Sequence, residues 1–305
     1  MTYRTPPKKV ARIRIEGPDR KGIIATITSF LFQNSCNIED IDQRILEGYL
    51  IMNMLVDITS LNIPTDAFKR ALDGAAARVG TKGSFRPVEK RGIKNVALLV
   101  SKEPHCALEL LSQMKKGAIK GRPVVMIGNH PDLKPLAKKF RVPFHFVPSD
   151  KKKNHEEKIL GILDRHQIDA ILLARYMQIL SPEFVFRHEG RIVNIHPSLL
   201  PSFPGPRAYH QAFNKGVEIV GVTAHFVTTD LDEGPIIAQD CFRVDKTMDS
   251  VEKIAERGRR LEATVLARAA RLFLDDRLAL RRGRVIDSRK MHEMAAKARE
   301  FYRQE

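Results

Sequence analysis

The 305-residue sequence predicts an α/β protein of two domains: an N-terminal ferredoxin-like βαββαβ sandwich, then a doubly wound, mostly parallel sheet. Three observations carry this expectation. The chain is longer than a single compact core usually grows. Alternating apolar and polar residues open the first part, whereas short, largely unalternating apolar runs mark the strands of the second. Between the two grammars stands a charged stretch, Glu89-Lys90-Arg91-Gly92, which reads as a linker.

The first domain is expected over 9–88. Arg12-Ile13-Arg14-Ile15-Glu16 alternates strictly and predicts a strand with one buried face. Gly17-Pro18-Asp19-Arg20-Lys21-Gly22 is a turn, and from Ile23 the residues Ile24, Ile27, Phe30 and Leu31 recur at helical spacing until the polar stretch 34–37 stops them. Strands over 38–46 and 49–59 flank Glu47-Gly48, a hairpin signal. Pro64 suits a first helical turn, and Phe68, Leu72, Ala75 and Ala76 follow at helical intervals toward Val79. A final strand over 84–88 completes the order.

The second domain is expected over 93–286. Apolar runs at 96–100, 123–127, 144–147, 170–174 and 192–195 alternate with helical segments at 106–116, 133–140 and 154–166, as in a parallel sheet covered on both faces. Further strands fit 221–227 and 236–242. A long amphipathic helix fits 250–274, and the charged, Ala-rich tail 287–305 is expected to be helical.

No apolar run approaches the ~20 residues of a membrane helix or forms a signal-peptide core near Tyr3, so the expectation is a soluble cytoplasmic protein without a membrane partner. Cys36, Cys106 and Cys241 are far apart and form no C-x-x-C pair, which argues against a disulfide framework and against a zinc knuckle. The histidines His130, His210 and His225 match no ligand spacing, so no metal is expected. The net charge of +16 owes much to arginines between Arg257 and Arg284. These alternate with Leu, Val and Ala and read as a solvated helix face; without an aromatic stacking platform beside them, RNA binding is the weaker reading and no nucleic-acid partner is expected.

The chemistry is concentrated in Asn194-Ile195-His196-Pro197-Ser198-Leu199-Leu200-Pro201, polar residues at the end of an apolar strand, where open parallel sheets place their ligands. Alternation puts Asn194 and His196 on one side of that strand. An Asn amide can steady a developing oxyanion and a His can pass a proton at neutral pH, a pair suited to attack on a carbonyl. A second strand, from His225, feeds an acidic loop with Asp230, Asp232 and Glu233 before Gly234-Pro235. A carboxylate from that loop beside His196 would hold the imidazolium form.

The pattern Asn-x-His-x-Ser-x-Leu-Pro, followed by His-x-Val-x-x-x-Leu-Asp-x-Gly-Pro, resembles the folate-dependent formyltransferases and formyl hydrolases. The resemblance covers nearly the whole chain and is strongest to the formyltetrahydrofolate deformylase family. It assigns catalysis to Asn194, His196 and Asp232, and implies a formyltransferase-type fold for the second domain. The 173–181 segment resembles the wall of the pterin pocket, implying folate contacts from Tyr176, Met177, Gln178 and Leu180, and the 227–232 loop resembles the other wall, through Val227, Thr228 and Asp230. Asp19-Arg20-Lys21-Gly22, the helix after it and Asn37-Ile38 resemble an ACT domain. This implies a regulatory site at Asp19, Gly22, Asn37 and Ile38 for an amino acid such as glycine or methionine, in a homodimer or homotetramer.

The implied activity is hydrolysis of 10-formyltetrahydrofolate to formate and tetrahydrofolate, supplying formate for purine synthesis and balancing the one-carbon folate pool, with no cofactor beyond the substrate. Ser101-Lys102-Glu103-Pro104-His105, after the first strand of this domain, has no glycine and carries a carboxylate, a poor cradle for a phosphorylated acceptor. Pro197 and Leu199 stand where the deformylase pattern has a second His and a Phe, and 197–201 is closer to the transferase version. Formyl transfer to an unphosphorylated amine therefore remains the alternative.

Overall fold

The structure, a computed structural model, describes residues 9–88, 92–149, 152–281 and 284–287. These fall into two compact units divided between Gly92 and Ile93. Residues 89–91 of the expected linker, and the expected tail helix from 288 onward, lie outside the described residues.

The first unit runs β1 (Val10–Pro18), α1 (Ile23–Gln33), β2 (Asn37–Leu46), β3 (Tyr49–Asp57), α2 (Thr65–Arg78) and β4 (Lys82–Val88). Its sheet is antiparallel in the order β2-β3-β1-β4. Alternation in β1 sends Ala11, Ile13 and Ile15 into a core shared with Leu50, Met52, Ile27, Leu31 and Leu72. Phe68 of α2 packs between the rings of Phe30 and Phe85, at 5.1 and 5.0 Å between centroids. Glu47 and Gly48 both have positive φ, the pair of conformations a two-residue hairpin turn demands.

The second unit carries β5 (Lys94–Val100), α3 (His105–Lys115), β6 (Gly121–Gly128), α4 (Lys134–Phe140), β7 (Phe144–Phe146), α5 (Lys152–Arg165), β8 (Ala170–Ala174), α6 (Pro182–Arg187), β9 (Ile192–His196), α7 (Ala208–Asn214), β10 (Ile219–Phe226), β11 (Ile236–Arg243), α8 (Val251–Leu274) and the hairpin β12 (Leu278–Arg281) and β13 (Arg284–Asp287). The main sheet is ordered β11-β10-β9-β8-β5-β6-β7. Strands β5 to β9 pair in parallel, and β10 and β11 are added antiparallel. Successive residues of β5 enter different cores: Leu98 and Val100 meet α3 and α8, while Ala97 and Leu99 meet α5 and α6. Burial on both faces explains why the run does not alternate.

Chain order reverses between β5 and β8, which places a crevice beyond their carboxyl ends. Helix α8 is capped by Ser250, whose hydroxyl accepts from Lys253 N, and it buries Ile254, Val265, Leu266 and Ala270. Three of its arginines take local acceptors. Arg257 pairs with Asp249 at 3.0 Å over the Phe242 ring, Arg260 with Glu256 at 2.7 Å, and Arg268 donates to Gln239 O at 2.6 Å. No helix among the described residues is long and apolar enough to cross a membrane. Helices α6 and α7 and the β12–β13 hairpin were not expected; each element is too short to show a period in sequence.

Candidate active site

Antiparallel pairing of β9 with β10 builds the centre of the site. Thr223 lies opposite His196 and His225 opposite Asn194, so residues thirty-one apart in the chain face one side of the sheet as neighbours. Thr223 is fully buried; its hydroxyl donates to Ser198 O and accepts from Leu200 N and from Gln239. Those bonds fix the backbone that leaves His196.

The carboxylate beside His196 comes from the loop after β10. Asp232 has a left-handed backbone (φ 59°), which Asp tolerates better than most residues. Its Oδ2 lies 3.2 Å from His196 Nδ1 and accepts the Gly205 N–H at 3.1 Å. His196 Nε2 donates to Phe203 O at 2.9 Å. Both ring nitrogens of His196 thus face acceptors, an arrangement that the doubly protonated ring satisfies completely. The loop closes tightly on the sheet: a Cβ at Gly234 would lie 1.7 Å from Phe226 O.

His225, to which the sequence assigned no role, belongs to this group. Its Nδ1 faces Phe226 O at 2.8 Å, which assigns the proton there and leaves Nε2 to accept from Asn194 Nδ2 at 3.3 Å. Asp232 Oδ1 is 3.7 Å from the same Nε2. Burial lowers the His225 pKa, opposed by the Phe226 carbonyl and Asp232 and assisted by His196. A neutral His225 therefore holds the Asn194 amide in one orientation. The sequence signal that could have found it is the His that opens the His-x-Val-x-x-x-Leu-Asp-x-Gly-Pro pattern.

These residues open into a cavity of about 620 Å³. Tyr176, Met177, Gln178 and Leu180 on one side, and Val227, Thr228 and Asp230 on another, all line it, together with Asn194, His196 and Asp232. Met177, Ile179 and Leu231 are each more than half exposed at its surface, an apolar patch suited to the flat face of a ligand. The 175–181 segment is held from three directions. Met177 N donates to Ser101 Oγ at 2.9 Å, Ser181 N donates to Glu156 Oε1 at 2.7 Å, and the Tyr176 hydroxyl meets His155 Nε2 at 2.5 Å. Burial, then the nearby Glu156 charge, push the Tyr176 pKa up.

A second polar group shares the cavity wall. Glu262 of α8 is fully buried; it accepts the Tyr209 hydroxyl at 2.6 Å and His105 Nε2 at 3.0 Å, and forms an ion pair with Arg175, whose Nε is 3.3 Å away. Burial raises its pKa, but the His105 bond, the Arg175 charge and the Tyr209 bond together bring it below the usual carboxylate range. His105, Cys106 and Glu262 offer ligand atoms within 4.8 Å of one another, the one such trio among the described residues. Arg175 already occupies the Glu262 oxygen a cation would need, and burial and Glu262 hold the Cys106 thiol protonated.

The four residues expected to form the regulatory site do not meet within one chain. Asp19 and Gly22 follow β1 at the end of the sheet where Pro18 pairs with Tyr49, whereas Asn37 opens β2 at the end where Asp57 pairs with both Asn37 and Val10. The length of β1, roughly 26 Å at the usual strand rise, separates the two ends. Helix α1 carries the chain back between them.

Comparison with known proteins places this geometry. Residues 94–270 match the formyl transferase family and 11–84 match the ACT domain. Formyltetrahydrofolate deformylase of Bacillus subtilis (strain 168) is 36% identical over 289 residues, covering 93% of this chain and 95% of the relative. The Escherichia coli (strain K12) deformylase is 37% identical over 275 residues, covering 88% and 95%. Among solved structures, a deformylase from Pseudomonas syringae pv. tomato str. DC3000 superposes with a TM-score of 0.63 at 32% identity, over 93% of this chain and 96% of its own. Glycinamide ribonucleotide transformylase 1 from Symbiobacterium toebii gives 0.61 at 31% identity, over 63% and 93%. With an ACT domain ahead of a formyl transferase domain, and with relatives of this name matching from end to end, the chain belongs to the formyltetrahydrofolate deformylase family.

Proposed function

We propose that this chain hydrolyses 10-formyltetrahydrofolate to formate and tetrahydrofolate with Asn194, His196 and Asp232 as catalytic residues. The observation that carries the assignment is the 3.2 Å contact between His196 and Asp232 beside an Asn194 amide fixed by His225. The pterin lies between the 176–180 wall and the 227–231 loop. Water bonds to the formyl carbon as its proton passes to the His196–Asp232 pair, while Asn194 and the protonated His196 steady the oxyanion. The C–N10 bond then breaks and His196 returns a proton to N10. The chain's own residues supply every group this scheme uses, with no cofactor beyond the substrate.

Cytoplasmic hydrolysis of this kind yields formate for purine synthesis and returns tetrahydrofolate to the one-carbon pool. The ACT unit supports binding of an amino-acid effector such as glycine or methionine. Since Asp19 and Asn37 stand at opposite ends of one sheet, an effector touching both needs two chains, which favours a homodimer or homotetramer.

Release of free formate from 10-formyltetrahydrofolate, with and without added amines, tests the assignment. Steady release without amine is expected, abolished in His196→Ala and reduced about 10²–10⁴-fold in Asp232→Asn with folding intact. Near-normal turnover of Asp232→Asn refutes the catalytic assignment, and tetrahydrofolate appearing only when an amine is present makes the protein a transferase.

A further inference from the structure

The sheet of the first unit ends on β4 at one side and on β2 at the other, and the two edges are built differently. β4 carries Gly83 and Pro87, and a proline has no N–H to offer a further strand. β2 is ten residues long with neither, and no strand lies beyond it among the described residues. The two-residue turn at Glu47 and Gly48 makes Leu46 and Tyr49 a hydrogen-bonded pair, and the register then turns the backbone groups of Arg44 and Asp42 inward to β3. Ile41, Gln43 and Ile45 therefore direct their N–H and C=O groups outward, a row open to another strand.

The side chains along this edge complement themselves. Ile41 and Ile45 share the core face of the sheet with their neighbours Met54 and Leu50, yet they stay 43% and 52% exposed. Asp42 and Arg44 lie on the other face, and Asp42 Oδ2 is shielded from water without a hydrogen-bond partner. A second β2 laid antiparallel must set outward-directed residues opposite one another. Centred on Gln43, that pairing puts Ile41 against Ile45 of the partner subunit and Asp42 against Arg44 of the partner subunit, each twice by symmetry. Centring on Asp42 or on Arg44 would set like charges face to face, which destabilises a ladder.

We propose that two copies of the chain join along β2, antiparallel and centred on Gln43, so that their sheets become one. The inference rests on the homo-oligomer reading above and names its surface. Past the paired stretch, the same two-fold carries Asn37 toward the end of the partner's sheet, where Gly48 O accepts the Asp19 N–H in each copy. Asp19 and Asn37, at opposite ends within one chain, then meet at one end of the joined sheet.

The test follows self-association of the full-length chain by sedimentation velocity over a range of concentrations, with circular dichroism to check folding. The wild type is expected to associate; should it be a tetramer, the step from tetramer to dimer is the readout. Asp42→Arg alone and Arg44→Asp alone each set like charges opposite one another and should associate at least about tenfold more weakly. Mixed in equal amounts, the two variants bring opposite charges together at both pairs, and a heterodimer of wild-type affinity is expected. Variants that each associate as the wild type does, or a mixture that stays apart, overturn the interface and leave the homo-oligomer reading standing. Should either variant fail to fold, Gln43→Cys decides: it is expected to form a disulfide-linked dimer under mild oxidation that the wild type, with Cys36, Cys106 and Cys241, does not form. No such dimer overturns the interface. A wild type that is monomeric at every concentration overturns the homo-oligomer reading itself, and the interface with it.

Discussion

Replacement of Gly234 by Ala reports on how closely catalysis depends on the loop that carries Asp232. A methyl group there would lie 1.7 Å from the Phe226 carbonyl oxygen, and contacts of this kind do not fall below 3.0 Å. The loop must therefore retreat by at least about 1.3 Å, because the atom it meets is β10 backbone that Pro235 O also bonds through Phe226 N. Asp232 is two residues away, and its 3.2 Å contact with His196 would stretch past 4 Å. Misplacement by about 1 Å costs on the order of 10²-fold in rate, or about 2.7 kcal/mol of barrier. The expected result is a kcat for formate release about 100-fold below wild type. The melting temperature should fall by only a few degrees, since the loop lies outside the main cores. A variant that keeps wild-type kcat would refute the view that Asp232 acts through its contact with His196.

Three further outcomes follow from the geometry. Asn194→Ala removes the oxyanion donor and should lower kcat about 10²–10³-fold with little change in KM; an effect confined to KM would assign Asn194 to binding. Gly258→Ala should destabilise the second unit by about 3 kcal/mol, combining overpacking against Tyr209 and a weakened bond to buried Glu262, less about 1 kcal/mol gained in helix propensity. Thermal melting should show a fall of roughly 6–12 °C, at about 2–4 °C per kcal/mol, and no fall would mean that the ring moves freely. Burial lowers the folded pKa of His225 below its ordinary 6.5. The unfolded chain therefore binds more protons there as pH drops through 6.5, and stability is lost on acidification by up to about 1.4 kcal/mol per pH unit. Urea unfolding between pH 8 and 5.5 should show a shallower acid slope in His225→Gln, and an unchanged slope would contradict a buried neutral ring.

Local signals in the sequence located part of this site and were blind to the rest. Asn194 and His196 are legible because alternation aligns them at the end of one strand, whereas Asp232 was singled out from Asp230 and Glu233 only by the family pattern. His225 became a partner of Asn194 only through the antiparallel register of β9 and β10, which no spacing announces. Glu262 was hidden more deeply, since its partners come from α3, α7 and the end of β8, joined by packing alone. The regulatory residues were named by resemblance to ACT domains, as a pocket between two such domains, and Asp19 and Asn37 stand at opposite ends of one sheet. In the second unit the unalternating runs were a faithful sign of two-sided burial, and the elements that escaped, α6, α7 and β12–β13, span too few residues for a period to show.

The division of labour around the cavity has a consequence for ancestry. The Asn194, His196 and Asp232 group rests on β9, β10 and the loop after them, while the wall around Glu262 rests on α3, the end of β8, α7 and α8, and the two groups share no residue. Gln211 of α7 bonds Pro204 O and Pro206 O, on either side of the Gly205 N–H that Asp232 accepts, so a lineage that remodels the wall around Glu262 keeps the formyl chemistry only while that loop stays in place. Hydrolases and transformylases can then remain close in backbone, as this domain and its Symbiobacterium toebii counterpart are, while the substrates they consume drift apart.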